Sequence, residues 1–155
     1  MVDMKDKFIP LPADMDSLLQ VSKDYEAVGL PGCVGSMDVV HVKLSICLMG
    51  DHNRAKGKEG YPTLGFQCIT DYNRRIIAVY GPQFGTRHDK DIIKHDPNVM
   101  EIRDGWLGDC WWKYYAEDGR VLVQKGMYLI CDNGYLQWPV SICPYTHVGA
   151  ASPEG

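Results

Sequence analysis

No stretch of this sequence approaches the ~20 consecutive apolar residues that cross a bilayer, so no membrane-spanning helix is expected. The opening segment MVDMKDKFIPLPADMD mixes acids with lysines and lacks the apolar centre of a signal peptide, and no Asn-x-Ser/Thr acceptor occurs, so nothing points to secretion. The six cysteines (33, 47, 68, 110, 131 and 143) show no Cys-x-x-Cys spacing, and several sit inside apolar runs. That pattern argues against a zinc knuckle or a disulfide framework and for reduced packing residues. There is no G-x-x-x-x-G-K-[ST] phosphate loop and no H-E-x-x-H zinc motif. Positive charge is in deficit, with 16 Lys+Arg against 20 Asp+Glu, so the chain cannot coat nucleic acid by bulk charge and any DNA contact must be local.

What remains is ordinary globular material. At 155 residues and 45% apolar, the chain suits one domain, which would bury about 70% of its unfolded surface. Residues 1–28 read as an irregular lead-in and a short helix, and 29–155 as the body. Asp14 or Asp16 can cap the helix, with Leu18, Leu19, Val21 and Tyr25 on one side, and Leu30-Pro31-Gly32 should end it.

The next stretch, GSMDVVHVKLSICL from Gly35 to Leu48, reads as a strand. At period two, Val40, Val42, Leu44, Ile46 and Leu48 form an apolar row with Asp38 at its head, so the acid is expected to face the core. A loop, basic at Arg54, Lys56 and Lys58, follows. Thr63 to Thr70 and Arg75 to Tyr80 then flank Asp71-Tyr72-Asn73-Arg74, which completes an antiparallel meander of three strands. Gly81-Pro82 should break the third strand, and Thr86 or His88 can cap a helix through Ile92 and Ile93, with a second after Pro97. Trp111 to Tyr115 and Arg120 to Gln124 bracket an Asp-Gly hairpin signal. Met127 to Cys131 is apolar throughout, as in a strand covered on both faces and joining the sheet in parallel, and it ends at Asp132-Asn133-Gly134. The tail from Trp138 reads as irregular.

Asp38 and Asp132 therefore stand in comparable strand settings. If the strands are neighbours, the carboxylates converge, and oxygen donors of that kind suit Mg²⁺ or Mn²⁺. The local alternative is that Asp132 opens an Asx turn and Asp38 satisfies nearby backbone amides. Arg54, Lys56 and Lys58, and with them Arg87 and Lys90, can follow a DNA backbone or be solvated charge. His41 falls on the strand face opposite Asp38, which favours packing or hydrogen bonding over metal contact. Trp106, Trp111, Trp112, Tyr114 and Tyr115 can stack on bases or pack over the sheet. An aspartic protease half would need Thr or Ser where Asn133 stands.

Four blocks carry a resemblance: Gly35-Ser-Met-Asp-Val-Val-His41, Arg54-Ala-Lys-Gly-Lys-Glu-Gly-Tyr-Pro-Thr63, Gly81-Pro-Gln-Phe-Gly-Thr-Arg-His-Asp89, and Gly126-Met-Tyr-Leu-Ile-Cys-Asp-Asn-Gly-Tyr-Leu-Gln-Trp-Pro139. In this order they resemble the PIF/Harbinger group of DDE transposases, from roughly Gly29 onward. The resemblance implies a mixed α/β, RNase H-like fold, three antiparallel strands followed by parallel strands with flanking helices, incomplete at the C-terminus. It implies that Asp38, in the G-S-x-D motif, and Asp132, in the D-x-G-Y motif, are catalytic metal ligands. They would act with Mg²⁺ or Mn²⁺ in DNA hydrolysis and strand transfer. It also implies a nuclear setting and a separate Myb-like DNA-binding partner. The family's third acid is a glutamate on a later helix, and no such segment is found here; Glu154 does not take its place. The isolated chain is therefore expected to be a feeble nuclease, or a catalytically silent module that binds DNA or protein. A sheet face left uncovered would favour self-association.

Overall fold

The computed structural model describes residues 11–144; the expected irregular lead-in over residues 1–10 and the tail beyond 144 lie outside the described residues. Helix α1 (Met15–Ala27) starts at Asp14, whose carboxylate accepts the Ser17 N–H at 2.8 Å while Ser17 Oγ accepts the Asp14 N–H at 3.2 Å. This reciprocal capping fixes the first turn. Leu18 and Tyr25 are buried on its inner side, and the Tyr25 hydroxyl reaches Ser36 Oγ at 3.1 Å, so the helix is fastened onto the first strand.

That strand, β1 (Cys33–Lys43), pairs antiparallel with β2 (Thr63–Thr70), which pairs antiparallel with β3 (Ile76–Phe84). The short α2 (His52–Ala55) lies in the basic loop. After β3 come α3 (Asp89–Ile92), a 3₁₀ turn (Ile93–His95), α4 (Pro97–Asp104) and α5 (Trp106–Asp109). Strands β4 (Trp111–Tyr115) and β5 (Val121–Lys125) form a separate hairpin. The chain then returns as β6 (Tyr128–Cys131), parallel to β1, and β7 (Ser141–Ile142), parallel to β6. The result is a mixed α/β fold with a five-stranded sheet in the order β3-β2-β1-β6-β7. Among the described residues no helix is long and apolar enough to cross a membrane.

Three expectations need correction. First, β1 ends at Lys43 rather than Leu48, and the row headed by Asp38 does not face the core. Val40 and Val42 are about half exposed, while Met37 and the β2 residues Gln67 and Ile69 are buried on the other face. Both rows of β1 carry apolar residues, so alternation could not say which row the helices would cover; α1, α4 and α5 supply Leu18, Val99, Ile102 and Leu107 to the Met37 side. Second, β3 runs through Gly81-Pro82. It is the edge strand, so a residue without an N–H is tolerated, and a register irregularity opposite Gly65 takes up the distortion. Third, no side chain caps α3, and Asp96 caps α4 instead, accepting the Asn98 N–H at 2.8 Å. The short β7 was also absent from the sequence reading. It is only two residues long, too few to show periodicity.

Candidate functional site

The parallel pairing of β1 with β6 builds the site. Met37 is the register partner of Cys131, so the residues that follow, Asp38 and Asp132, stand at one level of neighbouring strands. Antiparallel pairing would have carried them apart with each further residue. Both line an open recess of about 540 Å³, with Ser36, Ile130, Cys131 and Ile142 around them.

Each aspartate has one oxygen held by its own backbone. Asp38 Oδ1 accepts the Val39 N–H at 2.8 Å, and Asp132 Oδ1 accepts the Gly134 N–H at 2.8 Å in an Asx turn. The local role and the convergent placement therefore coexist. The turn orients the Asp132 side chain rather than consuming it.

A third acid joins them that sequence reasoning had treated only as part of a helix start. Asp89 is the first residue of α3. A Cβ placed on Gly134 would stand 2.8 Å from Asp132 Oδ1 and 3.0 Å from Asp89 Oδ2, so the two carboxylates flank the one position in that turn that carries no side chain. Burial raises the pKa of Asp89; Lys58 opposes the shift, and the charges of Asp132 and Asp38 reinforce it. The only hint in the sequence was its membership of the Gly81–Asp89 block.

Beneath these acids lies Tyr135, 2% exposed, whose hydroxyl has no hydrogen-bond partner. Burial pushes its phenol pKa far up, and Asp89, Asp38 and Asp132 all push the same way. Next to Asp132, the Cys131 and Cys143 sulfurs lie 3.5 Å apart as free thiols, and burial takes the Cys131 pKa up to about 12.

All donors in the acid cluster are oxygens, which suits a hard divalent cation. The unpartnered Tyr135 hydroxyl adds a buried polar group in the field of these acids. As they stand, among the described residues, no three His, Cys, Asp or Glu side chains form a metal-holding group.

The tertiary structure also joins the two basic stretches. Thr86 Oγ1 donates to the Arg54 carbonyl at 2.7 Å, and a Cβ on Gly57 would strike the Gly85 carbonyl, so the loop and the β3–α3 connection lie against each other. Lys58 and Arg87 share a cleft of about 280 Å³ with His41, His88 and Asp89. Arg54 is partly committed, lying 4.4 Å over the Phe84 ring and 3.5 Å from Asp51 Oδ1. Lys56 and Lys90 are exposed and do not line this cleft. The imidazole of His41 is hydrogen-bonded through Nδ1 to Thr63 Oγ1 at 3.1 Å, away from the Asp38 row. Of the aromatics, Trp112 packs inward, with Nε1 donating to the Gly126 carbonyl at 2.8 Å, whereas Trp111 and Tyr115 are exposed on the hairpin.

A mixed sheet with acids meeting at a parallel strand pair, beside a basic cleft, has the makings of a transposase- or nuclease-related domain, and comparison with known proteins places the chain in that class. A family model described as plant transposon protein matches residues 5–146. The chain belongs to this family, in agreement with the Harbinger-type resemblance of its four blocks. A curated relative, the putative nuclease HARBI1 of Rattus norvegicus, is 25% identical over 113 residues, covering 72% of this chain and 32% of the relative. The chain thus spans about a third of that relative's length. No solved structure matches.

Proposed function

We propose that this chain is an RNase H-like portion of a DDE transposase. In this reading Asp38 and Asp132 are ligands of Mg²⁺ or Mn²⁺ for phosphodiester hydrolysis and strand transfer on DNA. The observation that carries it is the placement of these two carboxylates, distant in sequence, at one level of the parallel β1–β6 pair. A bound divalent cation would supply Lewis-acid activation of water and neutralise charge at the leaving oxygen. The chain's own part is to hold and orient: the Asx turn fixes Asp132, the strand fixes Asp38, and the cleft with Lys58 and Arg87 receives phosphate oxygens. Arg54, Lys56 and Lys90 extend that basic surface at its margins.

Because one oxygen of each aspartate is already bonded to backbone, a second reading has support. In it the chain is a catalytically silent, transposase-derived module that only binds DNA or protein. A nuclear location and a Myb-like DNA-binding partner accompany the first reading, by family resemblance. The exposed row of Val40 and Val42 supports self-association.

Nicking of supercoiled plasmid with Mn²⁺, beside Asp38→Ala and Asp132→Ala, separates the two readings. Slow nicking is expected, reduced about 100-fold or more in either variant, because loss of a ligand misplaces the reacting groups. Wild-type cleavage no faster than that of Asp38→Ala, with DNA binding retained, would establish the silent module.

A further inference from the structure

The six cysteines read in the sequence as separate packing residues, but the fold brings two of them together. β6 and β7 pair in parallel with Leu129 opposite Ser141 and Ile130 opposite Ile142, so the next level sets Cys131 beside Cys143. Opposed residues of a parallel pair project to the same face. Neighbouring strands lie about 4.8 Å apart, inside the range of about 4.4 to 6.8 Å that a disulfide spans between α-carbons. The two sulfurs are 3.5 Å apart, and a bond of about 2.05 Å asks each to move by less than about 1 Å. The other thiols turn toward backbone carbonyls instead: Cys33 to Gly35, Cys47 to Leu48, Cys68 to Phe66 and Cys110 to Trp106.

Place and access also single out this pair. Both residues line the open recess that holds Asp38 and Asp132, so a small reagent can reach them from solvent. Cys131 is buried and Cys143 half-buried, which makes Cys143 the sulfur that a reagent meets first. β7 is only two residues long and is the last strand at its edge of the sheet, so a covalent tie there reinforces a short ladder. A bond between the two sulfurs would close a ring over residues 131–143. That ring contains Asp132, its Asx turn to Gly134 and the buried Tyr135.

We propose that Cys131 and Cys143 are a reversible dithiol–disulfide modification site, oxidised by a small-molecule disulfide, whose bond locks β7 to β6 and encloses Asp132 in a covalent ring. Cys143, as its thiolate, attacks one sulfur of the reagent, forming a mixed disulfide and releasing one small thiolate. Cys131, as its thiolate, then attacks the Cys143 sulfur, and the second small thiolate leaves. The two protein thiols lose two electrons and two protons, and the reagent gains both as it becomes two small thiols. Excess small thiol reverses both steps, so in a glutathione-buffered compartment the bond is a transient modification rather than a permanent staple. The inference stands apart from the metal-binding reading of Asp38 and Asp132 and needs no cation.

The test incubates the whole chain with glutathione disulfide in metal-free buffer and reads intact mass, alkylatable thiols, linked peptides and melting temperature. The wild type should lose two hydrogens, keep four of its six thiols open to alkylation after denaturation, and yield a linked Cys131–Cys143 peptide. It should melt about 5 to 10 °C above the reduced form, because the closed ring restricts the unfolded chain. Dithiothreitol should return mass and melting temperature to their starting values. Cys143→Ser should show neither the linked peptide nor the rise. A lasting glutathione adduct on Cys143 with no link to Cys131, a dominant link between any other two cysteines, or a linked form that melts no higher than the reduced one overturns the proposal. Should Cys143→Ser fail to fold, the wild type decides alone: oxidation that leaves no linked Cys131–Cys143 peptide overturns the inference.

Discussion

Two groups of aspartates share this small fold and are treated in opposite ways. Asp71 and Asp96 are 4% and 0% exposed, and both are well partnered. Asp71 accepts from the Arg75 N–H at 2.8 Å and from Arg75 Nε at 2.7 Å. Asp96 accepts from Asn98 N and Asn98 Nδ2, each at 2.8 Å, and from the buried Gln67 amide. Asp38, Asp89 and Asp132 are less buried, but no ion pair serves them among the described residues and an orphaned hydroxyl lies beneath. Depth therefore does not mark the candidate acids; the lack of a side-chain partner does. A carboxylate paired with other side chains has spent its charge on the fold, and one bonded only to nearby backbone keeps most of its charge available.

The sharpest way to break this comparison is to remove a partnered acid. Asp96→Ala should cost about 3 kcal/mol, since it strips the cap of α4 and leaves the buried Gln67 amide unbonded. Urea denaturation measures this, and a loss no larger than that at an exposed site would erase the distinction. Asp71→Ala should cost less, about 1 to 2 kcal/mol, because Arg75 is largely exposed and can turn to water. The smallest effect carries the opposite sign. At neutral pH Asp89→Asn should be slightly more stable than the wild type, by under about 1 kcal/mol. The pKa of Asp89 is raised on folding, so the cost of its charge accrues as pH rises from the unfolded value of 3.8 through the raised one. The advantage of the Asn variant should therefore close as the pH falls toward 3.8, and melts across an acid series would follow it. A constant gap would mean that the carboxylate's charge is not what the fold resists.

The antiparallel meander and the hairpin were legible because alternation, Asp-Gly and the four-residue turn are local instructions written in adjacent residues. β2 occupies the expected Thr63–Thr70, and the apolar run ending at Cys131 became the parallel strand. Val40 misled for a definite reason. An apolar residue on a strand is compatible with either face, and only the packing of α1, α4 and α5 onto the Met37 side decided which one closed. Pro82 misled because the sequence does not say that β3 lies at an edge.

By itself the sequence determined six of the seven strands to within their ends, the capped first helix, the motif blocks of the plant transposon family, and the two aspartates worth watching. Those are properties of short stretches, where backbone geometry and side-chain chemistry act over a few residues. Tertiary structure alone brought Asp89 to Asp132, tucked Tyr135 beneath them and laid the two basic stretches side by side. Such meetings depend on where a returning strand and a connecting loop come to rest, and that is fixed by the packing of the whole sheet and its helices rather than by any local preference.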